Sequence, residues 1–418
     1  MSKKFILFIL LFIYAKLSFG QLSLESCQTK AQSNYPLIKR YQLIEKSRDY
    51  NLSNAGKGYL PQISLSAKAT YQSAVTQIPI TLPIHIKTPN KDQYQIIAEI
   101  NQTIWDGGII RDQKKITEVQ SKVELQQNHV DLYNLTDRVN NVYFSILLIN
   151  EQLKQNQLYQ SELNRHLNQI KAFAQNGIAN QADIDAVKVN LIDATQKQTE
   201  LETTKSAYIQ MLSILIGEKI NNNTILTKPD IAEYILSEEI NRPELQLFAL
   251  QAQLLETQKN MLLSKNLPKF GLFIQGGYGN PGLNMLKNSF DPYYIAGVRM
   301  SWNFGGLYTK KNEQKQINIE QSTIGIQKET FLFNTKLQMS QEKGEINKYK
   351  KLMKDDDEII RLRANIRKAA EVKVANGTLS VIEFLREVNA EEQAKQNKIL
   401  HETHLLMATY NLKYTTNL

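Results

Sequence analysis

The sequence predicts an α+β chain made by duplication, each half being a helix, two strands and a long helical hairpin. Three observations carry this reading. The same short landmarks recur in the same order at an offset of about 200 residues. After each Leu-Pro the apolar residues alternate with a period of two, as on a strand. After each Gly-Gly pair come dozens of residues with hardly a helix breaker, because the ten prolines and eighteen glycines of this 418-residue chain cluster elsewhere.

The landmarks come first, because internal repetition decides the architecture before any element is assigned. "YPLI" at Tyr35–Ile38 precedes "LPQ" at Leu60–Gln62, as "RPEL" at Arg242–Leu245 precedes "LPK" at Leu267–Lys269. Gly107-Gly108 in "WDGG" correspond to Gly305-Gly306 in "WNFGG", and "NGIANQADIDA" from Asn176 corresponds to "NGTLSVIEFLR" from Asn376. The expected division is 21–216 for the first repeat, 217–241 for a linker and 242–418 for the second repeat.

Strands are expected near 62–72, 93–104, 270–278 and 293–302. In the first pair Ile63, Leu65, Ala67, Ala69 and Tyr71, then Tyr94, Ile96, Ala98, Ile100 and Ile104, fall on one face. In the second pair Tyr294, Ala296, Val298, Met300 and Trp302 do the same. Lys68, Glu99 and Arg299 lie on the opposite, polar faces. Each stretch has the length of a tilted strand crossing a bilayer. A half-buried soluble sheet would alternate too.

The helical hairpins are expected over 109–216 and 308–414. A helix from Ile109 to Gln175 would be on the order of 100 Å long, beyond the usual globular range. Val139, Val142, Ile146, Ile149 and Leu153 keep a 3-4 spacing, as do Ile116, Val119 and Val123, which makes a coiled-coil seam. Gly177 and Gly377 supply the left-handed residue that ends each descending helix.

The N-terminus, residues 1–20, has Lys3 and Lys4, an apolar run from Phe5 to Tyr14 and small residues before Gln21, the anatomy of a cleaved export signal. No second long apolar run follows. Cys27 is the single cysteine, so no intrachain disulfide can form, and it reads as an ordinary helix residue rather than a lipidation site. The formal charge of +9 is spread among glutamates and glutamines along helical stretches, the pattern of a solvated face rather than of a nucleic-acid site.

Four strands cannot close a barrel, and open edges do not persist in lipid. If these strands cross a membrane, subunits must share one barrel, and three copies would give twelve strands in a cyclic assembly. Other constellations read blandly. "GYGNPG" at Gly277–Gly282 has dinucleotide-loop spacing but no helix opening behind it, so an external turn is expected. The proline-bearing stretch with Pro79, Pro83 and Pro89 suits an extracellular loop. "HETH" at His401–His404 misses the spacing of a zinc helix, so its histidines are expected on a helix surface. His85, His129 and His166 are scattered, and no nucleophile, base and orienting group come together, so neither an enzyme nor a metal or cofactor site is expected.

With the duplication, "RPEL" upstream of "LPK", the two strand-to-glycine junctions and the paired Asn-Gly segments in view, the chain resembles the TolC-like outer-membrane efflux family over its mature length. That resemblance implies a homotrimer with a shared twelve-stranded β-barrel in outer-membrane lipid and a periplasmic α-helical tunnel, with residues 217–241 as an equatorial linker. It implies a passive exit duct for efflux or type I secretion, docking to a periplasmic adaptor (membrane fusion) protein and an inner-membrane RND or ABC-type transporter. Carried over residue by residue, the docking tips are Asn176, Gly177 and Ile178 with Asn376, Gly377 and Thr378. The aperture residues are Asp183, Glu383 and Arg386, with Glu383 able to pair with Arg386 as a helix neighbour; Glu392 is expected on the tunnel surface, as a comparator for Glu383. Lys68, Glu99 and Arg299 become lumenal. Val374 and Leu379 depart from the family's gate pattern. The alternative is an exported coiled-coil structural or adhesive protein with a small soluble sheet.

Overall fold

The computed structural model describes residues 22–77, 88–230 and 239–417. The export signal, Pro79, Pro83 and His85 lie outside them. The first segment is helical twice: α1 (Leu24–Asn34), opened by the Ser23 side chain accepting from Ser26 N at 3.2 Å, and α2 (Arg40–Gly56). Pro36 forces the break between them, since it cannot donate to a continuing helix and drives Tyr35 into extended backbone. One helix was expected here.

Strands β1 (Gln62–Tyr71) and β2 (Asp92–Trp105) follow, then the long helix α3 (Ile109–Gln175) and its return α4 (Gln181–Ile216). The second half runs α5 (Pro243–Lys265), β3 (Lys269–Asn280), β4 (Asp291–Ser301), α6 (Gly306–Ala375) and α7 (Val381–Thr416). The described chain is mostly helical with one antiparallel sheet in the order β1-β2-β3-β4, so the α+β expectation holds. The register pairs the two halves directly, with Ile100 of β2 opposite Ile274 of β3.

Two details of the strands differ from expectation. A register shift between Thr103 and Trp105 puts Ile104 at a bulge, outside the regular alternation. Trp302 lies just past the end of β4. The "GYGNPG" stretch is mostly strand rather than turn: Gly277, Gly279 and Asn280 belong to β3, and the connection begins at Pro281. The glycines are there for space. A Cβ on Gly277 would clash with the Tyr293 ring, and one on Gly279 would meet the Tyr94 carbonyl oxygen at 2.8 Å.

The chain divides into two compact units, Arg40–Gln127 with Glu244–Glu329, and Met1–Lys39 with Asn128–Pro243 and Thr330–Leu418. The first contains the sheet. The second contains the main helical core, where Leu24, Cys27, Tyr143, Phe144, Ile146, Leu212 and Leu406 are buried together. Val139, Val142, Ile146, Ile149 and Leu153 are all buried, as their seam spacing requires. Tyr143 Oη lies 2.7 Å from the carbonyls of Leu22 and Thr227, tying the start of the first repeat and the linker to α3. Cys27 is fully buried and its thiol is pushed up to about 12 by burial, so it is an inert helix residue.

"RPEL" also has a structural role in this unit. The Arg242 guanidinium lies 4.8 Å from the Tyr133 ring and 4.7 Å from the Tyr414 ring. Asn241 N donates to Thr416 O at 2.8 Å, and Asn417 Nδ2 donates to Asn241 O at 2.7 Å. The start of the second repeat is thereby fastened to the end of α7.

Candidate functional site

The sheet carries the first candidate surface. Its register puts Ser64, Glu99 and Gln275 level on one face, with Lys68 opposite Gln95 and Arg299 opposite Gly271. By the two-residue period, Lys68, Glu99, Lys269, Asp291 and Arg299 all stand on this face. The other face is apolar, and it is the more exposed one: Ile63 and Leu65 are 75% exposed and Val298 73%, while the Glu99 side chain is 24% exposed. Along β2 from Gln93 to Ile100 exposed and half-buried residues alternate, and the exposed ones, Tyr94, Ile96, Ala98 and Ile100, are apolar. A soluble half-buried sheet shows the reverse. An apolar band of this size facing outward marks a lipid or protein contact.

Aromatic rings bound the band at both ends. At one end Phe290 stacks on Tyr94 and Tyr278, with centroids 6.5 and 5.6 Å apart, beside Tyr71 and Tyr294. At the other, Trp105 packs on Phe270 at 5.8 Å and Trp302 on Phe304 at 4.7 Å. From Tyr94 to Trp105, at ~3.3 Å per residue and a tilt near 40°, the band is roughly 28 Å high, the height of a bilayer's apolar layer. Paired aromatic girdles around such a band are the pattern of a membrane-crossing barrel wall.

On the polar face Arg299 Nη2 lies 3.0 Å from Glu99 Oε1, and the Arg299 guanidinium covers the Phe273 ring at 4.5 Å. Gln95 donates to the Tyr293 hydroxyl. The structure thus brings Glu99 and Arg299 together and leaves Lys68 separate from them.

The tips are the second candidate. Gly177 and Gly377 have φ of +75° and +68°, with open space around each, so the left-handed turn alone explains them. Each ascending helix then opens with a capping box. Asp183 N donates to Asn180 Oδ1 at 3.2 Å and Asn180 N to Asp183 Oδ2 at 2.9 Å. Glu383 N donates to Ser380 Oγ at 3.2 Å, and the Glu383 carboxylate accepts from Ser380 N and Oγ at 3.2 and 2.8 Å. Asn176, Gly177, Ile178, Asn376, Gly377 and Thr378 are all exposed. The helices behind both tips share one core, in which Leu163 and Ile170 of α3, Val187 of α4, Val374 of α6 and Phe384 of α7 are buried.

Two expectations about the aperture residues are corrected. Glu383 does not pair with Arg386; its carboxylate turns back on Ser380, whose bonds hold it below the usual range, with Arg386 contributing at longer reach. Glu392 is no exposed comparator. It is half-buried, accepts from Gln155 at 2.8 Å and from Gln396 at 2.9 Å, and burial pushes its carboxyl up. The wheel position that looks free on one helix is filled by α3.

Behind the tips lies a buried ionic cluster that no motif announced. Arg367 Nε lies 2.7 Å from Glu391 and Arg367 Nη1 3.0 Å from Glu371, with Lys395 2.8 Å from Glu391. Burial opposes the Glu391 charge, yet the bonds from Lys395 and Arg367 hold its carboxyl below the usual range. Close by, His166 is fully buried, with its ring 4.8 Å from Phe384 edge to face. Burial, then the Arg165 charge, pushes it down.

The "HETH" histidines are not plain surface residues. His401 Nδ1 lies 2.9 Å from Asp356, and His404 stacks on Tyr349 at 5.2 Å. Among the described residues no group of His, Cys, Asp and Glu could hold a metal ion. No described helix is long and apolar enough to cross a membrane.

Residues 29–218 match the family model for outer membrane efflux proteins. The first repeat belongs to the outer membrane efflux protein family. Over the rest of the chain the likeness is one of fold, and it is the TolC-like fold of that family's channels. The outer membrane protein VceC of Vibrio cholerae superimposes with a TM-score of 0.68 at 11% identity, covering 94% of this chain and 94% of that one. The open state of the MtrE outer membrane channel of Neisseria gonorrhoeae gives 0.66 at 11%, covering 94% and 88%. The CmeC outer membrane channel of Campylobacter jejuni gives 0.64 at 12%, covering 94% and 85%. No curated protein matches the sequence.

Proposed function

We propose that this chain is the outer-membrane exit duct of a tripartite efflux or type I secretion system. The observation that carries the reading is the sheet's exposed apolar face, bounded by aromatic girdles, while its charges share the other side. Four strands leave two edges, and three copies closing a twelve-stranded barrel would satisfy both in lipid. The polar face with Lys68, Glu99 and Arg299 is then the lumen, and the long hairpins of repeats 21–216 and 242–418, joined through 217–241, form a periplasmic tunnel. An adhesive coiled-coil protein would have no use for an outward apolar band.

The tips at Asn176–Ile178 and Asn376–Thr378 meet the periplasmic adaptor in this reading, and energy comes from an inner-membrane RND or ABC-type transporter. Asp183, Glu383 and Arg386 line the aperture, with Asp183 and Glu383 also capping their helices. The test is fractionation and heat-modifiable migration. The wild type should run as a trimer in the outer-membrane fraction. Val298→Arg, on the lipid face, should cost roughly 2–4 kcal/mol and deplete the trimer, while Ser64→Arg, on the lumenal face, should leave it assembled. Equal tolerance at the two positions would overturn the barrel.

A further inference from the structure

The polar face of the sheet is unevenly charged, and this bears on what passes through. Its strands carry Lys68, Lys269 and Arg299 against Glu99 and Asp291. Both acids are already held. Glu99 is 3.0 Å from Arg299, and Asp291 is 2.8 Å from Lys287 of the adjoining connection. Among the described residues Lys68 and Lys269 have no carboxylate within ion-pair distance, and both are exposed on the face.

Their surroundings favour an anion rather than a counter-charge from the protein. Lys68 borders a cavity of about 240 Å³ whose other polar lining is neutral: Thr70, Gln72, Thr76, Gln93, Gln95 and Asn280. Lys269 borders one of about 340 Å³ shared with Asn101, Thr103, Arg299 and Ser301. The acid there, Asp106, is spent on the amides of Gly108 and Ile110 at 2.9 and 2.6 Å. Amide and hydroxyl groups beside an uncompensated ammonium solvate a carboxylate or phosphate well.

We propose that the strand-lined part of the duct prefers anions, with Lys68 and Lys269 as its specificity-determining residues, and that the cargo class is anionic. The proposal rests on the polar face being the lumen. Three copies give two rings of ammonium groups, one near each end of the sheet. Fixed charges on the wall act over about a Debye length, ~8 Å, so such rings bias the ions that pass near them. Low-dielectric walls focus the field, and rings of Lys or Arg are a known basis of anion preference.

The experiment is reversal-potential measurement on the full-length trimer in planar bilayers under a potassium chloride gradient, repeated with potassium gluconate. Lys68→Gln with Lys269→Gln should lower the anion-to-cation permeability ratio by about twofold or more in both salts, and Glu99→Gln should raise it. A heat-modifiable trimer band shows that each variant assembles. An unchanged ratio, or a shift of the opposite sign, in conducting channels overturns the proposal. A wild type that assembles but never conducts in either salt removes the lumen itself, and the anion preference falls with it.

Discussion

The two strand-to-helix junctions look alike in sequence and are held by different physics. At the first, Gly107 and Gly108 have φ of +76° and +91°, a region side chains avoid. A Cβ on Gly107 would also lie 2.8 Å from the Ser264 carbonyl oxygen and 2.9 Å from Leu267 Cβ. Asp106 is buried and caps the helix, accepting from Gly108 N and Ile110 N. At the second, neither Gly305 nor Gly306 has positive φ; Gly306 is the first residue of α6, and Asn303 Oδ1 accepts from Gly305 N at 2.9 Å. A repeated motif therefore fixes where a strand gives way to a helix, and leaves open how the chain turns there. The first junction follows a bulge and needs backbone freedom; the second follows a regular strand and does not.

The largest difference between the junctions should come from adding one methyl group. Gly107→Ala combines a disfavoured φ with a clash against backbone, and we expect a loss on the order of 2–4 kcal/mol. Gly305→Ala, which meets no more than the Asn303 side chain at 3.1 Å, should cost less than about 0.5 kcal/mol. Thermal midpoints of trimer dissociation compare the two directly, and similar losses would make the junctions equivalent after all. The caps come next. Asp106→Ala removes three charge-assisted bonds, from Gly108 N, Ile110 N and the Tyr59 hydroxyl, and should cost about 2 kcal/mol, against ~1 kcal/mol or less for Asn303→Ala. Hydrogen exchange of the first turns of α3 and α6 would report each loss locally.

The tips calibrate the comparison, because Gly177 and Gly377 have positive φ but nothing within 4 Å. Gly177→Ala and Gly377→Ala isolate the backbone term and should each cost about 1 kcal/mol, well below Gly107→Ala. Equal midpoint shifts at all three would mean that crowding at Gly107 adds nothing. The smallest effect is a pH dependence confined to the first junction. Burial opposes the Asp112 charge, but the bonds from Arg111 and Ser264 hold its carboxyl below the usual range. A depressed carboxyl contributes stability that is present above its unfolded value, near 3.9, and is lost as pH falls through the folded one. Dissociation midpoints should therefore drop below about pH 4, and Asp112→Asn should flatten that limb. Lys310, at the matching place in the second junction, carries no such group.

The sequence by itself determined what repeats locally. A period of two placed Lys68, Glu99 and Arg299 opposite Ile96 and Val298, and a 3-4 spacing placed Val139 to Leu153 in a seam, because side-chain direction follows backbone period within one element. The Asn-Gly turns were equally legible, since Gly177 and Gly377 need nothing beyond their own φ. Tertiary structure decided every partnership across distant parts of the chain. Glu392 looked free until α3 brought Gln155 against it, and the buried Arg367 has its carboxylates on α6 and α7. His166 gave no sign that Phe384 would cover it, and Arg242 none that two tyrosines would flank it. Apart from Arg367 with Glu371, four residues on in the same helix, such contacts join residues that no periodicity relates, and burial and charge pairing act on whatever the fold brings within a few ångströms. Even Gly107 and Gly305, alike in sequence, were told apart by the Ser264 carbonyl that approaches one of them and not the other.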